Sequence, residues 1–244
     1  MLMPIALMLL LLCVNIGYTY WSFKRQSKYF KTLDSAYNQI EYREWLLKEI
    51  DWLGIPIVGS RHFAASPDFL YELHRFLRAE QPKVIVEASS GLSTLICAKY
   101  AKKNHGHDPL VISLESSEKY TEITENKLKE ESLSGYANVI HAPLVQQRDD
   151  QWYDIVKLKA LLGAQKIDVL VIDGPPASEN IMAREPAFKM LKDFLSPTAA
   201  IILDDSKRKG ERKIISSWVS KYDLEIEQDL PTEKGTTVLR FRQV

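Results

Sequence analysis

Short runs of consecutive apolar residues, separated by segments with helical periodicity, constrain the fold of this chain most. The runs at 168–173 (DVLVID) and 199–204 (AAIILD) are too short for typical helices and lack the alternation of a half-exposed strand. Such runs are typical of strands that are buried on both faces. Because they alternate with helical segments, we predict an α/β fold in which a parallel sheet lies between two layers of helices.

The same pattern extends along the chain and predicts the order of its elements. A helix begins at Ser66-Pro67-Asp68, strands and helices then alternate, and a short turn between the last two strands predicts an antiparallel hairpin at one edge. We therefore predict a Rossmann-like sheet of seven mostly parallel strands with helices on both faces. The predicted strands are 83–87, 110–115, 138–142, 168–173, 199–204, 223–227 and 236–242, and the predicted helices are 93–103, 118–132, 151–162, 184–195 and 211–222.

Composition limits the classes of function that the chain can have. It has 244 residues, of which 45% are hydrophobic, which is enough for one sizeable core. Its formal net charge is zero, so it lacks the basic field that holds nucleic acid, and no nucleic-acid partner is expected. Its two cysteines, Cys13 and Cys97, stand in very different contexts and do not indicate a disulfide framework.

The first 23 residues contain no charged side chain, and a helix of about 20 apolar residues can cross a bilayer. Four cations follow at Lys24, Arg25, Lys28 and Lys31, which predicts that the rest of the chain lies on the cytoplasmic side. A cleaved signal peptide is the alternative, but the segment lacks a basic start and a clear cleavage site. We predict a single-pass transmembrane anchor at 1–23, a juxtamembrane helix and loop at 24–65, and a globular domain at 66–244.

Acidic residues stand where four of the predicted strands end. In sheets of this kind, ligands bind beyond the carboxyl ends of the strands. One acid in such a place is often a helix cap, but acids at four strand ends indicate a binding site. These acids are Glu87, Glu115, Asp173 and the pair Asp204-Asp205.

The turn Ser89-Ser90-Gly91 joins the first strand to the next helix through small residues, which let a ligand approach the backbone closely. The turn does not read G-x-G-x-x-G and has no P-loop lysine, so no pyrophosphate is expected. Glu115 ends the second strand, where an acid can accept hydrogen bonds from both hydroxyls of a ribose. A ligand with a nucleoside but no phosphate chain is therefore predicted, and S-adenosylmethionine fits this description.

Four segments in this order, EASSGLST, VISLES, IDVLVIDGPP and AAIILDDS, resemble the class I S-adenosylmethionine-dependent methyltransferases. The first segment is similar to the E-x-G-x-G-x-S-T motif of a small-domain group within them. The resemblance covers about residue 66 to the carboxy terminus, so 66–244 is expected to be an S-adenosylmethionine-binding methyltransferase domain. This chain departs from the group at Ser89, where glycine is usual. The serine side chain would leave less room for the methionine part of the cofactor beside the turn.

The resemblance also implies roles for individual residues. Glu87 and the turn would line the methionine part, Glu115 would hold the ribose, and the segment 141–144 would lie against the adenine. The first turn of the next helix would meet the cofactor carboxylate with free N–H groups. The expected cofactor-binding residues are Glu87, Ala88, Ser89, Ser90, Gly91, Ser93, Thr94, Glu115, Ser116 and Ala142, and Asp173 is the expected catalytic residue.

Asp173, Asp204 and Asp205 are also candidate metal ligands. They end neighbouring predicted strands, which lie about 4.8 Å apart, and hard oxygen ligands favour magnesium or manganese. The arrangement is similar to that of catechol-type O-methyltransferases, which have an Asp-Asn pair where this chain has Asp204-Asp205. A metal would lower the pKa of an acceptor hydroxyl. The alternatives are that these acids cap helices or that Asp173 acts alone as a base.

The predicted function is that of a membrane-anchored S-adenosylmethionine-dependent methyltransferase. It would act on an oxygen of a small-molecule, sugar or lipid-linked acceptor, bound by the loops 55–65, 146–153 and 177–183, with His62 as a candidate general base. One alternative is an aminopropyltransferase-like enzyme on the same fold, in which the acid pair holds a polyamine. Another is a non-catalytic nucleoside-binding module, which the serine at position 89 would favour.

Overall fold

The computed structural model describes residues 2–50, 65–104, 106, 108–147, 150–176 and 180–242. Helices and strands alternate through most of this range, as predicted. The helices are α1 (Leu2–Ile50), α2 (Pro67–Glu80), α3 (Leu92–Lys103), α4 (Glu118–Glu130), α5 (Val156–Leu162), α6 (Pro186–Leu191) and α7 (Lys209–Lys221). The strands are β1 (Val84–Ala88), β2 (Leu110–Glu115), β3 (Asn138–His141), β4 (Leu144–Gln147), β5 (Asp150–Tyr153), β6 (Ile167–Ile172), β7 (Leu195–Asp204), β8 (Leu224–Leu230) and β9 (Thr236–Phe241).

Seven of these strands form one sheet in the order β3-β2-β1-β6-β7-β9-β8. The first five in that order run parallel, whereas β9 is antiparallel to both β7 and β8. The predicted Rossmann-like sheet with an antiparallel edge hairpin is therefore confirmed. The chain order reverses at β1, which pairs with β2 on one side and β6 on the other, so a crevice opens beyond its carboxyl end.

The two faces of the sheet are covered by separate apolar layers. Side chains of β1 alternate between them, with Val84 and Val86 in one layer and Ile85 in the other. The first layer also contains Phe188 of α6 and Trp218 of α7. The second contains buried residues of α2 and α3. Because both faces are buried, the central strands are continuous apolar runs, as the sequence indicated.

The predicted helix at 151–162 is wrong in its first half. The strands β4 and β5 form an antiparallel hairpin there, and the helix begins only at Val156. Trp152 and Tyr153 are both buried, and the main-chain N–H of Asp154 bonds to the carbonyl of Pro143. The hairpin thus folds back onto the end of β3. The predicted helix at 184–195 is likewise shorter, since α6 ends at Leu191 and a 3-10 turn follows over Lys192–Phe194.

Helix α1 is continuous across the predicted boundary at residue 23. By length and composition α1 could cross a membrane, and its exposed apolar residues include Leu9 and Leu12. Its last turns pack on the domain, where Leu46 is fully buried and the Gln39 side chain accepts a hydrogen bond from the main-chain N–H of Asp68 at 3.1 Å. The first half of α1 therefore projects from a second half that belongs to the folded domain. The loop 51–64, with the candidate base His62, lies outside the described residues.

Candidate functional site

Main-chain hydrogen bonds bring the predicted strand ends together at one rim of the sheet. The N–H of Ser89 donates to the carbonyl of Leu114 at 2.9 Å, and the N–H of Asp173 donates to the carbonyl of Ala88 at 3.1 Å. On the far side, the N–H of Ala142 donates to the carbonyl of Glu115 at 2.7 Å. The turn after β1 is thus flanked by the end of β2 on one side and the end of β6 on the other.

The turn after β1 has an unusual backbone. Ser89 has φ +121°, a region that side chains disfavour, and Gly91 has φ +141°. The Gly91 N–H donates to the hydroxyl of Thr94 at 3.1 Å, which fixes the start of α3. Ser93 and Thr94 are buried in the first turn of that helix, as expected for a helix start at the site. Ser89 therefore adopts a glycine-like conformation, at the position where the motif that this turn resembles has glycine.

Glu87 is buried beneath this turn. Its Oε2 accepts a hydrogen bond from the hydroxyl of Ser113, while Oε1 has no hydrogen-bond partner among the described residues. Burial raises the pKa of the Glu87 carboxyl, an effect that the hydroxyls of Ser113, Ser93 and Thr94 oppose. A buried acid with a free oxygen can hold a cationic ligand group, such as the amino group of an amino acid.

Glu115 lies at the end of β2 and is tied to the turn. Its Oε2 accepts a hydrogen bond from the hydroxyl of Ser90 at 3.0 Å, and its Oε1 accepts one from the N–H of Ser117 at 2.9 Å. Each of the two carboxylate oxygens can accept a further hydrogen bond, so Glu115 can still bind both hydroxyls of a vicinal diol. Ser116 follows Glu115 and is partly exposed, and Ala142 is buried just after β3.

The three candidate metal ligands converge as predicted. One carboxylate oxygen from each of Asp173, Asp204 and Asp205 lies within 4.8 Å of the others. Asp205 has φ +61°, a left-handed conformation in which Asp and Asn are the most frequent residues after glycine. Burial and the neighbouring acids Asp173 and Asp205 raise the pKa of Asp204 well above its ordinary value.

Arg184, which the sequence analysis did not single out, packs against these acids. Its side chain is only 3% exposed, and Nη2 donates to Asp173 Oδ1 at 3.2 Å and to Asp205 Oδ2 at 2.9 Å. The same guanidinium donates to the main-chain carbonyls of Asp173 and Asp204. A positive charge is therefore built into the rim at the point where β6 and β7 end.

The carboxylate oxygens of these three acids still fit a divalent cation. Arg184 occupies one oxygen of Asp173 and one of Asp205, and Thr236 donates to Asp204 Oδ1 at 3.1 Å. Asp204 Oδ2 and Asp205 Oδ1 are buried without a hydrogen-bond partner in the described part of the chain. Each acid thus keeps one oxygen that could bind a hard cation.

Tyr153 ends the segment 146–153, which was expected to contribute to the acceptor site, and it lies close to the turn after β1. A methyl group built on Gly174 would lie 2.5 Å from the Tyr153 hydroxyl and 3.0 Å from the Cβ of Ser89. The tyrosine hydroxyl, the turn after β1 and the segment after β6 therefore meet closely, and a larger residue at position 174 would have to displace Tyr153 or Ser89. The wrong prediction of a helix at 151–162 concealed this contact, because the β4–β5 hairpin is what delivers Tyr153.

A family model described as a methyltransferase domain matches residues 88–206. This match includes the turn after β1, Glu115, Asp173 and the pair Asp204-Asp205. No curated protein sequence matches the chain.

Solved structures share the fold over most of the chain. A Podospora anserina methyltransferase, PaMTH1, bound to S-adenosylhomocysteine is 16% identical, with a TM-score of 0.59 over 84% of this chain and 88% of that one. The Streptomyces achromogenes O-methyltransferase TomG, involved in tomaymycin synthesis and bound to S-adenosylmethionine, is 16% identical, with a TM-score of 0.57 over 88% of this chain and 95% of that one. An O-methyltransferase from Bacillus cereus bound to S-adenosylhomocysteine is also 16% identical, with a TM-score of 0.56 over 83% and 91%.

Proposed function

We propose that the chain is a class I S-adenosylmethionine-dependent methyltransferase, which transfers the methyl group of S-adenosylmethionine to an oxygen of a small-molecule acceptor. The observation that carries this proposal is the meeting of three acids, Glu87, Glu115 and Asp173, around one turn at the switch point of the sheet. Each acid suits a different part of the cofactor and its reaction.

The described residues offer a partner for each polar part of the cofactor. Glu87 has a free oxygen for the amino group of the methionine part, and Glu115 has acceptor capacity for both ribose hydroxyls. The segment after β3, with Ala142, borders the same crevice and can contact the adenine. Asp173 lies on the other side of the turn, where the sulfonium and its methyl group would point.

The reaction asks the protein mainly for alignment, since the sulfonium supplies an activated methyl group. The acceptor oxygen attacks the methyl carbon, the carbon–sulfur bond breaks, and S-adenosylhomocysteine leaves. Without a cation, the proton lost by the acceptor hydroxyl goes to the oxygen of Asp173 that Arg184 does not hold. With a cation on that oxygen, the proton would be released to solvent, because the cation would lower the pKa of the acceptor hydroxyl. Burial raises the pKa of Asp173, which makes it a better base than an exposed aspartate.

We propose that Asp173, Asp204 and Asp205 hold Mg²⁺ or Mn²⁺ through their free oxygens. A bound divalent cation would lower the pKa of an acceptor hydroxyl at this rim. The residues themselves then orient the acceptor, and Tyr153 helps to exclude water from the point of transfer, because its side chain is buried and its hydroxyl lies close to Gly174.

We also propose that α1 anchors the enzyme in a membrane with the domain on the cytoplasmic side. The support is the length and apolar composition of α1 and the four cations between Lys24 and Lys31. Since α1 continues as one helix into the folded domain, the anchor would hold the domain close to the bilayer. An acceptor at or near the membrane surface is the substrate class that this arrangement favours.

The experiment compares extracts of cells that contain the protein with extracts of cells that lack it. Extracts incubated with S-adenosylmethionine carrying a labelled methyl group should contain a labelled product only when the protein is present, and Asp173→Asn should abolish it. Transfer of an aminopropyl group from added decarboxylated S-adenosylmethionine, with release of methylthioadenosine, would favour the aminopropyltransferase alternative. Binding of S-adenosylhomocysteine without transfer to any acceptor would favour the non-catalytic module.

A further inference from the structure

In the three acids at the ends of β6 and β7, the two oxygens of each carboxylate have different surroundings. In each carboxylate, one oxygen accepts a hydrogen bond from a donor of the protein, and the other oxygen does not bond to that donor. Arg184 holds Asp173 Oδ1 and Asp205 Oδ2, and Thr236 holds Asp204 Oδ1. Two of the remaining oxygens, Asp204 Oδ2 and Asp205 Oδ1, are buried without a hydrogen-bond partner in the part of the chain that the structure describes.

We infer that Arg184 and Thr236 are positioning residues that fix which oxygen of each acid is presented to a divalent cation. This inference rests on the proposed function, because it concerns the same site, and it assigns roles to two residues that stand outside the expected ligand set. Ligating carboxylates work best when outer donors hold them in one orientation. Without such donors, three acids on two strands would rotate and repel one another.

Arg184 is suited to this role by its contacts with the main chain. Its guanidinium donates to the carbonyls of Asp173 and Asp204 as well as to the carboxylates, so it joins the ends of both strands. The planar group carries five N–H donors in a fixed arrangement, which a lysine cannot reproduce. Glu211, whose Oε1 lies 3.7 Å from Nη1, balances part of its charge.

The inference predicts an effect opposite in sign to that of simple electrostatics. A fixed positive charge close to a cation site repels the cation, so removing Arg184 would strengthen cation binding if charge alone mattered. If Arg184 positions the ligands, removing it weakens binding. Arg208 provides a matched control, because it contacts the same Asp205 Oδ2 at 2.7 Å but is 47% exposed.

The test is a titration of the full-length protein with Mn²⁺, followed by the electron paramagnetic resonance signal of the free ion. We expect one Mn²⁺ per wild-type chain and binding about 10- to 100-fold weaker in Arg184→Lys, Arg184→Gln and Thr236→Val. Arg208→Gln should bind Mn²⁺ at least as tightly as the wild type. Should the Arg184 variants fail to fold, the comparison of Thr236→Val with the wild type decides.

Equal or tighter Mn²⁺ binding by folded Arg184 variants would overturn the inference. So would a wild-type protein that takes up no Mn²⁺ although it binds S-adenosylhomocysteine, since Arg184 would then stand in the place of the cation. The affinity for S-adenosylhomocysteine, measured on the same samples by calorimetry, should be unchanged in all four variants. A wild-type protein that does not bind S-adenosylhomocysteine would count against the proposed function instead, whether or not it binds Mn²⁺.

Discussion

The hydroxyl of Ser90 donates a hydrogen bond to Glu115 Oε2 at 3.0 Å, which links the turn after β1 to the end of the neighbouring strand. The same hydroxyl lies 3.1 Å from the hydroxyl of Thr124 in α4. Glu115 is therefore held by its neighbours before any ligand arrives. A group that is fixed in this way loses little conformational entropy when it binds, so this acid is preorganised for the ribose.

Replacing Glu115 by alanine should weaken the binding of S-adenosylhomocysteine by about 1.5–3 kcal/mol, the range for hydrogen bonds to a charged group. Ser90→Ala removes one supporting bond and should weaken it by about 1 kcal/mol. Calorimetry measures both affinities, and circular dichroism should show an intact fold. Unchanged affinity in Glu115→Ala would remove Glu115 from the cofactor site.

Glu87→Gln should have opposite effects on stability and on binding. Burial raises the folded-state pKa of Glu87 above its unfolded value, so the wild type loses stability as the pH rises from the unfolded pKa through the folded one. Glutamine does not ionise, so the variant should gain stability relative to the wild type as the pH rises above about 4, the ordinary pKa of a glutamate. Thermal unfolding at several pH values measures this difference.

In the same variant, cofactor binding should be weaker by about 1.5–3 kcal/mol, because the ammonium group of the methionine part loses a charged partner. A difference in stability that does not grow with pH would show that Glu87 is not the titrating group. Cofactor binding as tight as in the wild type would place the amino group elsewhere.

Ser89→Gly should stabilise the protein by about 1 kcal/mol, since a side chain at φ +121° is strained and glycine is not. It should also widen the approach to the methionine part and leave cofactor binding equal or tighter. Chemical denaturation measures the free energy of unfolding. Ser90→Gly is the control. This variant loses the hydrogen bond to Glu115 without relief of strain, so its free energy of unfolding should be lower than that of the wild type. Lower stability in Ser89→Gly would mean that the serine side chain makes a contact that outweighs the strain.

Removal of residues 1–31 should release the protein from membranes and leave the domain folded. The contacts of α1 with the domain lie beyond that point, at Ser35, Gln39 and Leu46. Removal of residues 1–50 should instead lower the thermal stability, because Leu46 leaves a cavity and Asp68 loses a partner. Fractionation of cells and thermal unfolding check the two outcomes. Full-length protein in the soluble fraction would contradict the anchor.

The sheet could be predicted from the sequence because its signal is local. Runs such as VLVI at 169–172 are apolar at every position, and strands buried on both faces need nothing else to be recognised. The acids at the strand ends could be predicted for the same reason, because parallel strands bring their carboxyl ends to one edge. Glu115 and Asp173 were found in this way, and the structure places both beside the turn after β1.

The role of Arg184 and the strand conformation of Tyr153 could not be predicted, because both depend on contacts between distant segments. Arg184 bonds to Asp205, which is 21 residues away in the sequence. Nothing in the neighbouring residues distinguishes Arg184 from an exposed arginine. Tyr153 belongs to a four-residue strand whose partner is equally short, and its apolar residues also fit the start of a helix. Tertiary packing decides such segments, and local propensity does not.

The central claim is that this rim binds S-adenosylmethionine and releases S-adenosylhomocysteine. Titration calorimetry of the full-length protein with each of the two compounds tests it most directly. We predict one binding site per chain for both compounds, with affinity for both reduced by Glu115→Ala. If neither compound gives a heat of binding, in protein that is shown to be folded by its cooperative thermal unfolding, the account is contradicted.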